Sequence, residues 1–351
     1  MKTFYGSIFT TILVLAGAVI WAGPDVAVLV LILGILEVSL SFDNAVLNAT
    51  ILGRMSPYWQ KIFMTVGFLI AVVGMRLLFP IVIVGITAKK SPMSVVDMAI
   101  NHSADYEANL IAAHPAIAAF GGMFLLMIAL DFLFEERENP WIGVVERPLA
   151  KMGGLDSLSI VVSLAVLLGS VHWLAGEHGL TVLLSGVAGL ITYLIVNGLA
   201  AFFEVESDGT DDHMAGISGS SKTASGAMAL TGKAAFFLFL YLEVLDSSFS
   251  FDGVIGAFAV SNQIFVIVAG LSIGALFVRS LTVYLVREGT LSKYEFLEHG
   301  AHYAIGALAL ILFATLKYEI PDMVTGLTGV TFISLAFISS LRSKKVREKV
   351  A

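Results

Sequence analysis

A chain of 351 residues that is 58% hydrophobic and only 13% charged is not built to face water in the manner of a soluble globule. Its mean hydropathy of +0.91 asks for lipid as the solvent. The absence of cysteine excludes disulfides, thiolate metal ligands and thiol catalysis. A net charge of −7, with basic residues gathered only in a short C-terminal run, offers nucleic acid no surface.

Apolar stretches of about 20 residues, enough for a helix to span a bilayer, recur along the whole chain. They are Ile8–Trp21, Val26–Leu52, Ile62–Thr87, Ala116–Phe134, Leu155–Trp173, Leu180–Phe203, Ala234–Val260, Ile264–Val286, Ala301–Leu316 and Met323–Leu341. They predict an all-α, polytopic membrane bundle of about ten transmembrane helices. The first stretch, with Lys2 before it and Trp21-Ala22-Gly23 after it, also has the pattern of a signal peptide; it is read as an uncleaved first helix.

Lys and Arg set the orientation. With both termini in the cytoplasm, Lys2, Arg54, Lys61, Arg137, Arg147, Lys151, Lys222, Lys233, Arg287, Lys293 and the basic tail 342–351 fall inside. Only Lys89, Lys90 and Lys317 fall outside, and Arg76 and Arg279 lie within helices. The polar stretch Val205–Lys233, rich in Gly, Ser and Asp, predicts a cytoplasmic loop between an N-terminal half (1–204) and a C-terminal half (234–341). Ala88–Pro115, with His102, Asp105, Glu107 and His114, predicts a polar outer loop.

The two halves share a motif. Glu37-Val-Ser-Leu-Ser-Phe-Asp43-Asn44 and Asp246-Ser-Ser-Phe-Ser-Phe-Asp252-Gly253 each place an acid six residues before an aspartate that follows Ser-Phe. Downstream, Gly67 precedes Arg76 by nine residues and Gly270 precedes Arg279 by nine. The orientation predicted from the charges runs the two motif helices in opposite directions. The expectation is therefore two inverted repeats, the first over about 26–134 and the second in the C-terminal half, with a site at mid-membrane.

Ionised acids are costly there. Each costs roughly 2.5–3.5 kcal/mol at a helix centre, against about 0.3–0.6 gained per large apolar residue. Glu37, Asp43, Glu243, Asp246 and Asp252 outnumber Arg76 and Arg279, a surplus that suits a hard divalent cation such as magnesium, calcium or manganese. The expected metal ligands are Glu37, Asp43, Asn44, Asp246 and Asp252, with Glu243 in reserve. Arg76 and Arg279 act as counterions or move with gating. Residues six apart lie about 120° out of phase on a helix, so both motif helices are expected to unwind around the site. No His or Met falls in either motif, which argues against copper or zinc. Asp131 is expected at a solvated helix terminus, and His299, His302 and Asp211-Asp212-His213 in solvated loops. No nucleophile–base constellation points to an enzyme, and no cofactor is expected.

At these residues the sequence resembles the TerC family of integral membrane proteins, within the LysE-type transporter grouping. The first motif looks like that family's acid followed by Leu-Ser-x-Asp-Asn, and the second like its Asp-x-x-Phe-x-x-Asp. Where the second signature usually continues with Ser-Ile-Pro-Ala, this chain has Gly253-Val254-Ile255-Gly256, the mark of a divergent branch. The resemblance covers Leu31–Arg76 and Leu240–Arg279. It implies export of a divalent cation, manganese before calcium, from a bacterial cytoplasm across the inner membrane. The expected mechanism is alternating access at the carboxylates. A carboxylate that holds a proton cannot hold the cation as well, so cation/proton antiport follows as a weaker expectation. The alternative is a membrane partner that supplies metal to secreted proteins, or assists them, without substantial flux.

Overall fold

The computed structural model describes residues 2–137, 139–153, 157–209, 230–258, 260–261, 263–289 and 293–350. Proline opens three of the early helices, where its missing N–H costs nothing and its fixed φ suits the first turn. The helices are α1 (Tyr5–Ala22), α2 (Pro24–Leu40), α3 (Phe42–Leu52), α4 (Pro57–Ile86), α5 (Pro92–Asn101), α6 (Ser103–Phe134) and α7 (Gly143–Met152). There follow α8 (Leu158–Trp173), α9 (Gly179–Gly209), α10 (Gly232–Phe258), α11 (Ile264–Arg287), α12 (Leu297–Ala314) and α13 (Asp322–Val350).

Seven of the described helices are long and apolar enough to cross a membrane, and eight if the bent pair α2–α3 counts as one span. Two of the ten expected spans stand outside that count. Helix α8 is short at 16 residues, and α10 has side chains outside the described set at 248–252. The outward faces are apolar: α1 exposes Phe9, Ile12, Ile20 and Trp21 and buries only Ser7 among its described residues. Lipid is the solvent for such a face, and the chain is an integral membrane protein.

Helix α6 is the axis of the bundle, buried over most of its length against α9, α10 and α12. Gly122 lets α12 approach to where an added Cβ would lie 3.4 Å from the Ala309 carbonyl oxygen. Beside this, α2 and α3 pack on α11 while α4 packs on α10. Gly270 and Gly274 face α2, and a Cβ on Gly274 would fall 2.7 Å from the Gly34 carbonyl oxygen. Small residues one turn apart let two membrane helices touch along their backbones.

The expected outer loop Ala88–Pro115 is helical. The Ser91 side chain accepts a hydrogen bond from the Ser94 N–H at 3.3 Å and starts α5, while α6 runs through Pro115. The signal was in the sequence: Val95, Met98 and Ala99, then Tyr106, Leu110 and Ala113, are buried at helical spacing. The C-terminal tail continues α13 to Val350. Of the expected loop Val205–Lys233, residues 205–209 extend α9. Positions 210–229, with Asp211, Asp212, His213 and Lys222, lie outside the described residues.

Helices α7 and α12 are joined through Glu146, which is buried. It accepts from the Trp141 and Ile142 N–H groups, each at 3.1 Å, and from the Tyr303 hydroxyl at 3.2 Å, and lies 3.3 Å from His299 Nε2. His299 is therefore buried beside Glu146 rather than placed in a solvated loop, because α12 begins at Leu297 and carries it inward. His302 follows, stacked on Phe132 at 3.8 Å, with the Arg137 guanidinium 3.8 Å from the same ring. Glu146→Ala is expected to lower stability by about 1–3 kcal/mol, since it leaves buried donors without their acceptor; thermal unfolding in detergent measures it.

Candidate cation site at a buried ion-pair centre

The two motifs meet. Helix α2 stops at Ser41, and α3 resumes at 60° to it, so the expected unwinding is present in the first motif. It is absent from the second, where the backbone of α10 runs as one helix from Gly232 to Phe258. Neither motif contains a proline, so the difference does not come from a helix-breaking residue.

Each half makes its own ion pair. The Arg76 guanidinium of α4 donates to Glu37 of α2, and both are buried. Arg76 Nη1 also donates to the Ala71 carbonyl at 2.9 Å within its own helix. That stretch, Ile70–Leu78, winds as π-helical turns, as does Phe63–Gly67; such turns are often found at functional sites. Ser41 Oγ donates to Glu37 at 3.3 Å.

In the second half, Arg279 of α11 takes two acids of α10 at once. Its Nη2 lies 3.2 Å from Glu243 Oε2 and 3.1 Å from Asp246 Oδ2. Its Nη1 donates across the halves to the Phe63 carbonyl of α4 at 2.8 Å, and the guanidinium sits 4.2 Å from the Phe63 ring centroid. Charge-assisted bonds of this kind offset the desolvation of buried charges.

Asn44 of the first motif links the halves directly, donating from Nδ2 to Asp246 Oδ1 of the second at 2.8 Å. Two glycines allow the approach. A Cβ on Gly67 of α4 would fall 2.5 Å from Arg279 Nη1, and one on Gly253 of α10 would fall 3.1 Å from Glu37 Oε2.

The expected ligand set is thus partly assembled and partly engaged elsewhere. Glu37, Asn44, Glu243 and Asp246 sit where α2–α3, α4, α10 and α11 come together, and Arg76 and Arg279 hold the carboxylates. The side chains of Asp43 and Asp252 lie outside the described residues; their backbones belong to α3 and α10, beside Asn44 and Gly253. Among the described residues no three acids or histidines stand close enough together to hold a metal. Asp131 is not a solvated terminus: it accepts from the Tyr193 hydroxyl, next to Phe124 and Tyr241. His102 is exposed, and His114 is half-buried with its Nε2 3.5 Å from Thr315 Oγ1.

Sequence reasoning missed Asn48, which is buried with its carbonyl oxygen lacking a hydrogen-bond partner among the described residues. The signal available was its position one turn after Asn44 on the same face.

A sequence model of the family described as "Protein of unknown function (DUF475)" matches residues 42–347, and the chain belongs to that family. It is also 32% identical over 114 residues to the "Uncharacterized membrane protein YceF" of Bacillus subtilis (strain 168). That alignment covers 31% of this chain and 43% of the relative, so the chain spans less than half the length of the relative it matches. No solved structure matches. The matching family is DUF475 and not TerC by name; the TerC resemblance stays with the two motifs.

Proposed function

We propose that this member of the DUF475 family is a divalent metal cation transporter, exporting manganese from the cytoplasm through the centre between α2–α3 and α10. The observation that carries the reading is the Asn44–Asp246 contact inside a buried cluster of three acids and two arginines contributed by both halves. Carboxylate and amide oxygens are what a hard divalent ion prefers. Manganese over calcium rests on the TerC resemblance alone, as do the direction and the bacterial inner membrane.

The halves act as inverted repeats. Aligning Asp43 with Asp252 sets Val30 opposite Phe239. A Cβ on Gly270 would fall 2.9 Å from the Val30 carbonyl oxygen, and one on Gly67 would fall 3.3 Å from the Phe239 ring. Each half thus lays its second helix on the other's first at matching positions, an arrangement that supports rocking about a shared centre. Arg76 and Arg279 occupy carboxylate oxygens that an entering cation would take. Binding therefore displaces the guanidinium groups, and release restores them. Protons compete for the same oxygens, and cation/proton antiport, the weaker part of this reading, is the case in which metal release is coupled to their protonation.

Reconstituted vesicles test this. Wild type is expected to take up manganese, and Asp43→Asn or Asp252→Asn to lose most of the flux while remaining folded, with calcium, magnesium and zinc run in parallel. If no divalent ion moves, the transporter reading is rejected. Flux indifferent to a proton gradient at fixed membrane potential removes antiport alone. A membrane partner that hands metal to secreted proteins is the second reading. On that reading a stable complex should co-purify.

A further inference from the structure

Helix α3 carries two polar side chains where a buried helix would ordinarily carry apolar ones. Asn44 and Asn48 are each 1% exposed, and neither carbonyl oxygen Oδ1 has a hydrogen-bond partner among the described residues. Buried amide oxygens are normally satisfied, so two such acceptors on one helix need a reason. Their spacing stacks them on one face, about 6 Å apart along the axis. The orientation of Asn44 is fixed independently: its Nδ2 is held by Asp246 Oδ1 at 2.8 Å, so Oδ1 is the oxygen left over. Their neighbours on the helix, Val46 and Leu47, belong to the apolar core, and α3 packs against α11 and α12.

We infer that the Oδ1 atoms of Asn44 and Asn48 form a second position for the cation on α3, one helical turn beyond the Asn44–Asp246 contact. It rests on the transport reading above. Neutral amide oxygens are donors that calcium, magnesium and manganese accept. They bind more weakly than carboxylates, as a station that must pass its ion onward requires. Asn48 is then a cation ligand that neither motif contains.

The test uses the purified full-length protein in detergent for manganese binding and in vesicles for manganese uptake. Asn48→Leu keeps the size and removes the oxygen. It is expected to weaken apparent manganese affinity by about tenfold or more while thermal unfolding stays at or above the wild-type temperature. Asn48→Asp adds charge at the same place and is expected to bind manganese more tightly and release it more slowly. It also serves if the Leu variant does not fold. A purely structural Asn48 would leave both metal readouts at wild-type values in Asn48→Leu and Asn48→Asp, which overturns the second position and leaves the transport reading standing. Wild type that neither binds nor moves manganese, calcium or magnesium overturns both.

Discussion

Replacing Arg279 by Met is expected to destabilise the folded protein by about 3–5 kcal/mol, the usual cost of removing one side of a buried ion pair. Arg279 is 2% exposed and serves Glu243, Asp246 and the Phe63 carbonyl together. Met fills much of the volume but leaves two carboxylates facing each other and a backbone oxygen without its donor. Desolvation alone would not make the variant so costly; the stranded partners do. Unfolding of the purified protein in increasing denaturing detergent measures the loss. The combined variant Arg279→Met, Glu243→Gln, Asp246→Asn is expected to recover a large part of it, because neutral groups no longer repel. A single variant as stable as wild type would show that the cluster does not hold the bundle together.

Gly274→Val carries the second large effect. The new Cβ would fall 2.5 Å from Glu37 Cβ and 2.7 Å from the Gly34 carbonyl oxygen. The second of these is backbone and cannot swing aside, so α2 and α11 must separate. Overpacking of this kind costs about 1–3 kcal/mol, and here it also pulls Glu37 away from Arg76. Expected together are lower thermal stability and lower manganese uptake. Gly17→Ala on α1, where an added Cβ meets nothing within 4 Å, is the control expected to change neither.

The apolar stretches carried most of the architecture, because lipid demands long unbroken runs and the sequence cannot disguise them. The ion pairs were half legible. Arg76 and Arg279 stood out as charges inside apolar runs, and the matched spacing from Gly67 and Gly270 tied each to its motif. Which acid each would take could not be read, since that depends on how α4 and α11 lie against α2 and α10. Helix α5 was hidden for a different reason: its charged and polar residues suggested a loop, while Val95, Met98 and Ala99 supplied a buried face too short to register as a span. The burial of His299 is not legible locally, because Glu295 and Glu298 beside it suggest solvent, whereas Glu146, against which it packs, is remote in sequence. The continuity of α10 is not written in its motif: both motifs carry buried acids answered by an arginine on a neighbouring helix, yet only the first bends.

The most direct measurement is manganese uptake by reconstituted vesicles holding wild type or Asp246→Asn. Asp246 is the residue that both the first motif's Asn44 and the second half's Arg279 reach. Transport through this centre predicts uptake by wild type that is saturable in manganese. It also predicts about a tenfold or greater loss in Asp246→Asn, as expected when a ligand worth about 1.5–3 kcal/mol is neutralised. Equal uptake by the two proteins, or none by wild type, would contradict it.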